Sequence, residues 1–215
     1  MSRLLTTLFV DTLVIVELVD EFTGRPPQIA PAMRLRRAGA EEPEEPASYR
    51  RTAGGGVVFA AFDLVRRAAP AAAVSHELHV EGDAALRPDR PGGYPFTVPA
   101  DPARWPVRVG VRLLPGPAYP YPRHVPVVHG RVLRAGAPVA EAVVEVRPAG
   151  GGTVTARCAA DEAGRFSAGI ADYRAPDART PRPLALAARA PDGAASAVHL
   201  LAPEDFTRSI DLTVP

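Results

Sequence analysis

The densest group of chemistry-capable side chains in the sequence is His76-Glu77-Leu78-His79. A zinc-protease motif needs two histidines four apart on a helix. These two are three apart in a run that reads as a strand, where an odd separation sends them to opposite faces. The expectation is ordinary polar residues on an edge strand, not a metal site. His124, His129 and His199 stand isolated in the sequence. Glu41-Glu42-Pro43-Glu44-Glu45-Pro46 sets four carboxylates between prolines, which reads as a solvated loop with nothing to fix a metal geometry. Gly54-Gly55-Gly56 precedes a strand, so it lacks the helix N-terminus that a phosphate site uses. Cys158 is the single cysteine; it excludes an intramolecular disulfide framework and reads as a small buried hydrophobe. No Gly-x-Ser-x-Gly elbow, phosphate loop or dinucleotide fingerprint occurs. The sequence therefore nominates no catalytic residue, no cofactor site and no metal site, and the protein is read as not an enzyme.

The elements that would position any site are short strands. The chain has 215 residues, of which 25 are Pro and 18 Gly, spaced between short apolar runs, a composition of strands and turns rather than helices. Apolar residues make up 47%, enough for real cores, and the formal net charge of +1 gives no field suited to nucleic acid. All of the basic residues are Arg. Thr12 to Val19 is apolar on both sides, which predicts a central or covered strand. Further strands are predicted around Met33 and Leu35, over Val57 to Val65 with Phe59 and Phe62, over His76 to Val80, over Tyr94 to Val98 and over Pro106 to Leu114. Trp105, before Pro106 at a strand start, reads as core or junction filler.

Val128 to Ile170 is the stretch around which the rest is organised. Gly136 and Pro138 are expected to make a tight reversal. After it, Ala142, Val144 and Val146 alternate with Val143, Glu145 and Arg147, the period of a strand with one buried face. Asp161 is expected to bond local backbone, Gly164 to take a left-handed conformation, and Phe166 to carry the largest apolar surface inward. The stretch resembles the carboxypeptidase regulatory-like domain, a transthyretin-like β-sandwich of seven strands. The match lies at Gly130, Gly136, Pro138, Ala142, Val144, Asp161, Gly164 and Phe166 and covers roughly the C-terminal two fifths of the chain. One departure is that Pro181 to Leu184 lacks the Gly that family members carry before the strand following the Phe strand. The resemblance implies a fold with accessory, structural or adhesive roles and no catalytic residues of its own.

The two halves of the chain share an order of turns and strands. Met33 to Arg37 matches Ala142 to Arg147, the Val57 strand matches the Phe166 strand, His76 to Val80 matches the run from Leu184, Phe96 to Val98 matches His199 to Leu201, and the Val107 run matches the Ser209 run. The expected fold class is thus all-β: two tandem antiparallel β-sandwiches, transthyretin-like or Ig-like, joined by a Pro-rich linker. The boundaries are 1–115 for an N-terminal sandwich, 116–125 for the linker and 126–215 for the carboxypeptidase regulatory-like sandwich. The linker region holds five prolines between Leu114 and Val127, which predicts a stiff, extended segment. Tyr119 and Tyr121 on it read either as junction packing or as anchors for a partner.

The N-terminal arm carries Leu4, Leu5, Leu8 and Phe9, an apolar cluster with no counterpart before the second copy. Asp11, Glu17 and Asp20 interrupt any signal-peptide pattern, and no run approaches the length of a membrane span. The expected setting is the cytoplasm, or a particle assembled in the cytoplasm. The expected function is that of a non-enzymatic structural or adaptor protein mediating protein–protein contacts within a larger assembly, with no nucleic acid or membrane partner. At the level of domain type the chain resembles accessory β-sandwich subunits of phage-tail-like contractile injection particles. The alternative is a carbohydrate- or small-ligand-binding module, against which stands an aromatic content of 6% with one Trp.

Overall fold

The computed structural model describes residues 12–39, 45–46, 49–52, 55–60, 73–171 and 183–215. The arm residues Leu4, Leu5, Leu8 and Phe9, together with Gly54, Phe62 and most of the acidic loop, lie outside the described residues. Among the described residues there is no α-helix, only two 3-10 turns, at Pro102–Arg104 and Pro203–Phe206. The protein is all-β.

The chain divides into two compact units. The first comprises 1–20, 24–81 and 90–112; the second comprises 21–23, 82–89 and 113–215. Residues 116–125, read from the sequence as a linker, fall inside the second unit.

In the first half the strands are β1 (Thr12–Asp20), β2 (Met33–Arg37), β3 (Glu45–Pro46), β4 (Tyr49–Arg51), β5 (Val57–Ala60), β6 (Val74–Val80), β7 (Leu86–Pro88), β8 (Tyr94–Val98) and β9 (Val107–Pro115). One sheet has the order β4-β5-β1-β9-β7 and the other β3-β2-β6-β8. β1 is central, as its apolar sequence implies. Only one of its faces is buried, however: Val14, Val16 and Leu18 are inside while Glu17 and Val19 are exposed. The physical reason is Glu17, whose carboxylate pairs with Arg108 of β9 and holds that face at water.

β6 corrects a second expectation. It is not an edge strand, because β2 and β8 pair with it on either side. Met33 and Leu35 of β2, His76 and Leu78 of β6, and Tyr94 and Val98 of β8 lie on one face in this register. Most of that face is buried.

The second half supplies β10 (Val127–Arg134), β11 (Ala137–Pro138), β12 (Val143–Pro148), β13 (Ala156–Ala159), β14 (Arg165–Gly169), β15 (Leu184–Arg189), β16 (His199–Leu200) and β17 (Ser209–Thr213). β10 is flanked by β14, antiparallel, and by β17, parallel, with β11 on its C-terminal end. The other sheet has the order β13-β12-β15-β16. Side chains from both sheets share one core: Val128 and Val132 of β10, Phe166 and Ala168 of β14 and Ile210 and Leu212 of β17, with Val144, Val146, Cys158, Leu186 and Ala188 from the opposite sheet. Phe166 is 1% exposed, as its size and position in the alternation imply. Ala142, Val144 and Val146 face that core as their spacing requires.

The turn between β10 and β11 sits two residues earlier than the Gly-x-Pro pattern implies. Leu133 pairs with Pro138 and Arg134 with Ala137, leaving Ala135 and Gly136 as the loop. Both have positive φ, 48° and 84°, the signature of a two-residue hairpin turn whose twist matches that of the strands. Pro138 therefore belongs to the returning strand. At the second turn the expectation holds: Asp161 Oδ1 accepts from the N–H groups of Ala163 and Arg165, each at 2.9 Å, and Gly164 has φ of 69°. β15 forms and pairs with β12 along its whole length despite the family glycine that the preceding segment lacks.

The strand orders of the two halves correspond. β5-β1-β9 matches β14-β10-β17, and β3-β2-β6-β8 matches β13-β12-β15-β16.

Candidate functional site

Three polar or aromatic clusters stand out, the first two built by turns and the third on a strand. The first is in the second unit. The turn after β1 is closed by Asp20 N–H on Arg25 O and Gly24 N–H on Asp20 O, each at 2.8 Å, which pushes out Glu21, Phe22 and Thr23. Glu21 N–H donates to Leu113 O at 2.9 Å, and the Glu21 carboxylate accepts from Nε and Nη2 of Arg157 at 3.0 and 2.8 Å. The Phe22 ring meets Tyr119 and Tyr121 edge-on, with centroids 5.6 and 5.0 Å away, and the two tyrosine rings lie 4.7 Å apart. Edge-to-face contact satisfies the ring quadrupoles.

The Pro-rich segment is held by hydrogen bonds rather than spanning free. Gly116 N–H donates to Ala85 O at 2.7 Å and Ala118 N–H to Ala84 O at 2.9 Å. Tyr121 O–H donates to Ser167 O at 3.0 Å. That carbonyl points away from β10. The ladder bonds Val132 N–H to Gly164 O and Ile170 N–H to Pro126 O place residues 164 and 170 in hydrogen-bonded positions, and the alternation turns residue 167 outward. The Tyr121 ring lies so close over Gly169 that a Cβ there would overlap it. Asp161 covers Arg165 on the same edge. Tyr121 and Asp161 thus close the open edge of β14, which would otherwise template pairing with another strand. Tyr119 and Tyr121 are half-buried in this arrangement.

His129 and Ser167, cross-strand partners on β10 and β14, bring a ring nitrogen and a hydroxyl to 2.9 Å. Ser167 O–H is directed to Pro117 O at 3.0 Å, an acceptor only. His129 Nδ1 must then be the donor in the pair. A nucleophile needs its proton taken by the histidine, so this hydrogen-bond direction makes the pair a tie between strands.

The second cluster is around Asp205, which sequence reading missed when it took His199 as isolated. Asp205 is 0% exposed yet accepts from His199 Nε2, Ala202 N–H and Arg208 Nε, each at 2.9 Å. Burial opposes its ionisation, but the Ala202 N–H, His199 and Arg208 bonds outweigh it and hold the carboxyl below the usual carboxylate range. The available signal was an acidic residue three after Ala202 with Pro between them, a side chain able to reach back to the helix-start N–H.

The third cluster is His76-Glu77-Leu78-His79. Glu77 and His79 share a face, with His79 Nε2 3.2 Å from the carboxylate and Arg36 Nη2 at 2.5 Å. His76 points to the opposite, buried face. The Arg36 and His79 bonds lower the Glu77 pKa. Among the described residues, no group of three or more His, Cys, Asp or Glu side chains is placed to hold a metal ion. Cys158 is buried, and burial pushes its thiol pKa up, away from the reactive thiolate. Trp105 is half-buried, with Nε1–H on Pro99 O at 2.9 Å. No helix among the described residues is long and apolar enough to cross a membrane.

Outside these clusters some large apolar side chains face water. Ile29 is 84% exposed on the loop after β1, and that loop is pinned by Arg51, which donates to Gln28 O and Pro27 O at 2.5 and 2.8 Å. Val198, just before the edge strand β16, and Leu200 within it are each 62% exposed.

No protein-family model matches the chain, and no curated protein matches it. Among solved structures it is similar to the shaft pilin SpaA from Lactobacillus rhamnosus GG. One mutant form of that pilin aligns at 12% identity over 95% of this chain and 96% of the pilin, with a TM-score of 0.31. The unmutated pilin aligns at 11% identity over 95% and 97%, with a TM-score of 0.27. Superposition at that level carries no functional conclusion.

Proposed function

We propose that this chain is a non-enzymatic structural or adaptor protein whose business is contact with other proteins, and that it serves as an accessory subunit of a phage-tail-like contractile injection particle. In this reading the chain is two tandem sandwiches, the second of the carboxypeptidase regulatory-like type, working in the cytoplasm or in a particle assembled there. The observation that carries the reading is the exposure of Val198 and Leu200 at the edge strand β16, Val198 just before it and Leu200 within it. An apolar edge of this kind is a liability in an isolated protein and an asset in an assembled one. Ile29, on its pinned loop, adds a pre-organised apolar contact. The arm residues Leu4, Leu5, Leu8 and Phe9 and the exposed parts of Tyr119 and Tyr121 belong to the same proposed contact set.

Two variants test it: a double substitution Val198→Asp with Leu200→Asp, and deletion of residues 1–9. Each is expected to lose the companion proteins that co-purify with the full chain from its native cells while keeping the parental melting temperature. Retention of those companions by both variants would remove the contact set. A collapse of the melting temperature on arm deletion would place the arm in the core instead.

A further inference from the structure

The buried face of the β3-β2-β6-β8 sheet has one feature that the proposed function does not use. His76 is 8% exposed at the middle of β6, with Arg37 of β2 and Phe96 of β8 as its cross-strand neighbours. Its ring stacks on Phe96 at 5.5 Å between centroids and 23° between planes. The remaining side chains of this face are Met33 and Leu35 on β2, Val74, Leu78 and Val80 on β6, and Tyr94 and Val98 on β8. The buried residues of the other sheet in this unit are the apolar Val14, Val16, Leu18, Val57, Phe59, Val109 and Val111, with one carboxylate, Asp20, at the end of β1. The charged group paired with His76 across the ladder, and the one whose charge acts on its ring, is the cation Arg37. Arg37 lies beside it, and Arg90 lies over the Tyr94 ring at 6.0 Å. Glu77, Arg36 and the imidazole of His79 are on the opposite face of the ladder.

We infer that His76 makes this sheet a proton-triggered weak point: taking up a proton sets a second cation beside Arg37 in an apolar layer and loosens the pairing of β2 and β8 on β6. Burial favours the neutral ring, and the His76 pKa is lowered, first by burial and then by Arg37. The sign follows from linkage. The opened strand binds the proton at the ordinary histidine value and the closed strand does not, so acid favours opening.

Amide hydrogen exchange on the full chain at pH 7.5 and 5.5, corrected for intrinsic rates, reads the effect. The opening constant of β2, β6 and β8 is expected to rise at the lower pH by up to about ten-fold, the ratio set by protonating an ordinary histidine of pKa about 6.5 in the opened state. β10, β12 and β15 serve as the reference, and their correction should leave a smaller change. In His76→Phe, which keeps the stack on Phe96, the rise is expected to disappear. An undiminished rise in that variant would overturn the inference. A second measurement needs no variant: nuclear magnetic resonance titration of the parent should place the His76 midpoint below 6.5. A midpoint at or above it would equally overturn the inference.

Discussion

Phe166 and Asp205 hold the second unit by opposite physics. Phe166 fills the space between two sheets, and truncation leaves a cavity as well as lost burial. Phe166→Ala is expected to lower stability by roughly 3–5 kcal/mol, read from the denaturant midpoint; an unchanged midpoint would show that Phe166 is not core. Asp205 is a buried carboxylate tolerable only because each of its bonds is charge-assisted or to backbone. Its folded pKa is depressed, so its contribution is complete above the ordinary carboxylate pKa and is lost as pH falls through the folded value. Asp161 is depressed too: burial opposes ionisation, but bonds and charge from Arg165 and the Ala163 N–H outweigh it, and the contribution has the same sign. Asp205→Asn is expected to cost about 1.5–3 kcal/mol at pH 7, and the gap to the parent should narrow below the carboxylate range. A gap that stays constant from pH 7 to pH 3 would mean the carboxylate charge is not what stabilises this turn.

At the level of strands, much of the fold was legible, because alternation and turn residues are local signals. Tyr94 to Val98 is a strand with the expected bounds, and Asp161, Gly164 and Phe166 behave as their spacing implies. What failed depended on contacts distant in sequence. β6 looked like an edge because its polar residues suit one, but pairing with β8 makes it central and buries His76. The Pro-rich run looked like a free linker because proline favours an extended backbone. Its amides at Gly116 and Ala118 and the hydroxyl of Tyr121 nonetheless find acceptors at Ala85, Ala84 and Ser167. Asp205 was missed because its partners lie on both sides of a turn that no periodicity announces. The docked segment has a measurable consequence. A fragment covering 126–215 lacks Tyr121 and the Pro117 carbonyl. A fragment covering 113–215 keeps both, and it should melt several degrees higher. Equal melting temperatures would mean that the segment adds nothing to the unit.

Across the chain as a unit of function, the repeat of strand order is the most informative feature. Both halves contain a three-strand run, β5-β1-β9 or β14-β10-β17, and a four-strand sheet of corresponding order. The proposed role places the differences, not the shared plan, at the contacts: Ile29 on its pinned loop in the first half, and Val198 before β16 with Leu200 on it in the second. The fold supplies a frame on which such contacts are carried, and does not by itself name a partner. The decisive measurement is the mass of the species that the full tagged chain forms in its native cells, taken by mass photometry after purification under native conditions and followed by identification of the components. The expected result is a complex several times heavier than one chain, with other subunits in fixed ratio to this one. A single chain running alone at native concentration, with no companion protein, would contradict the proposed role.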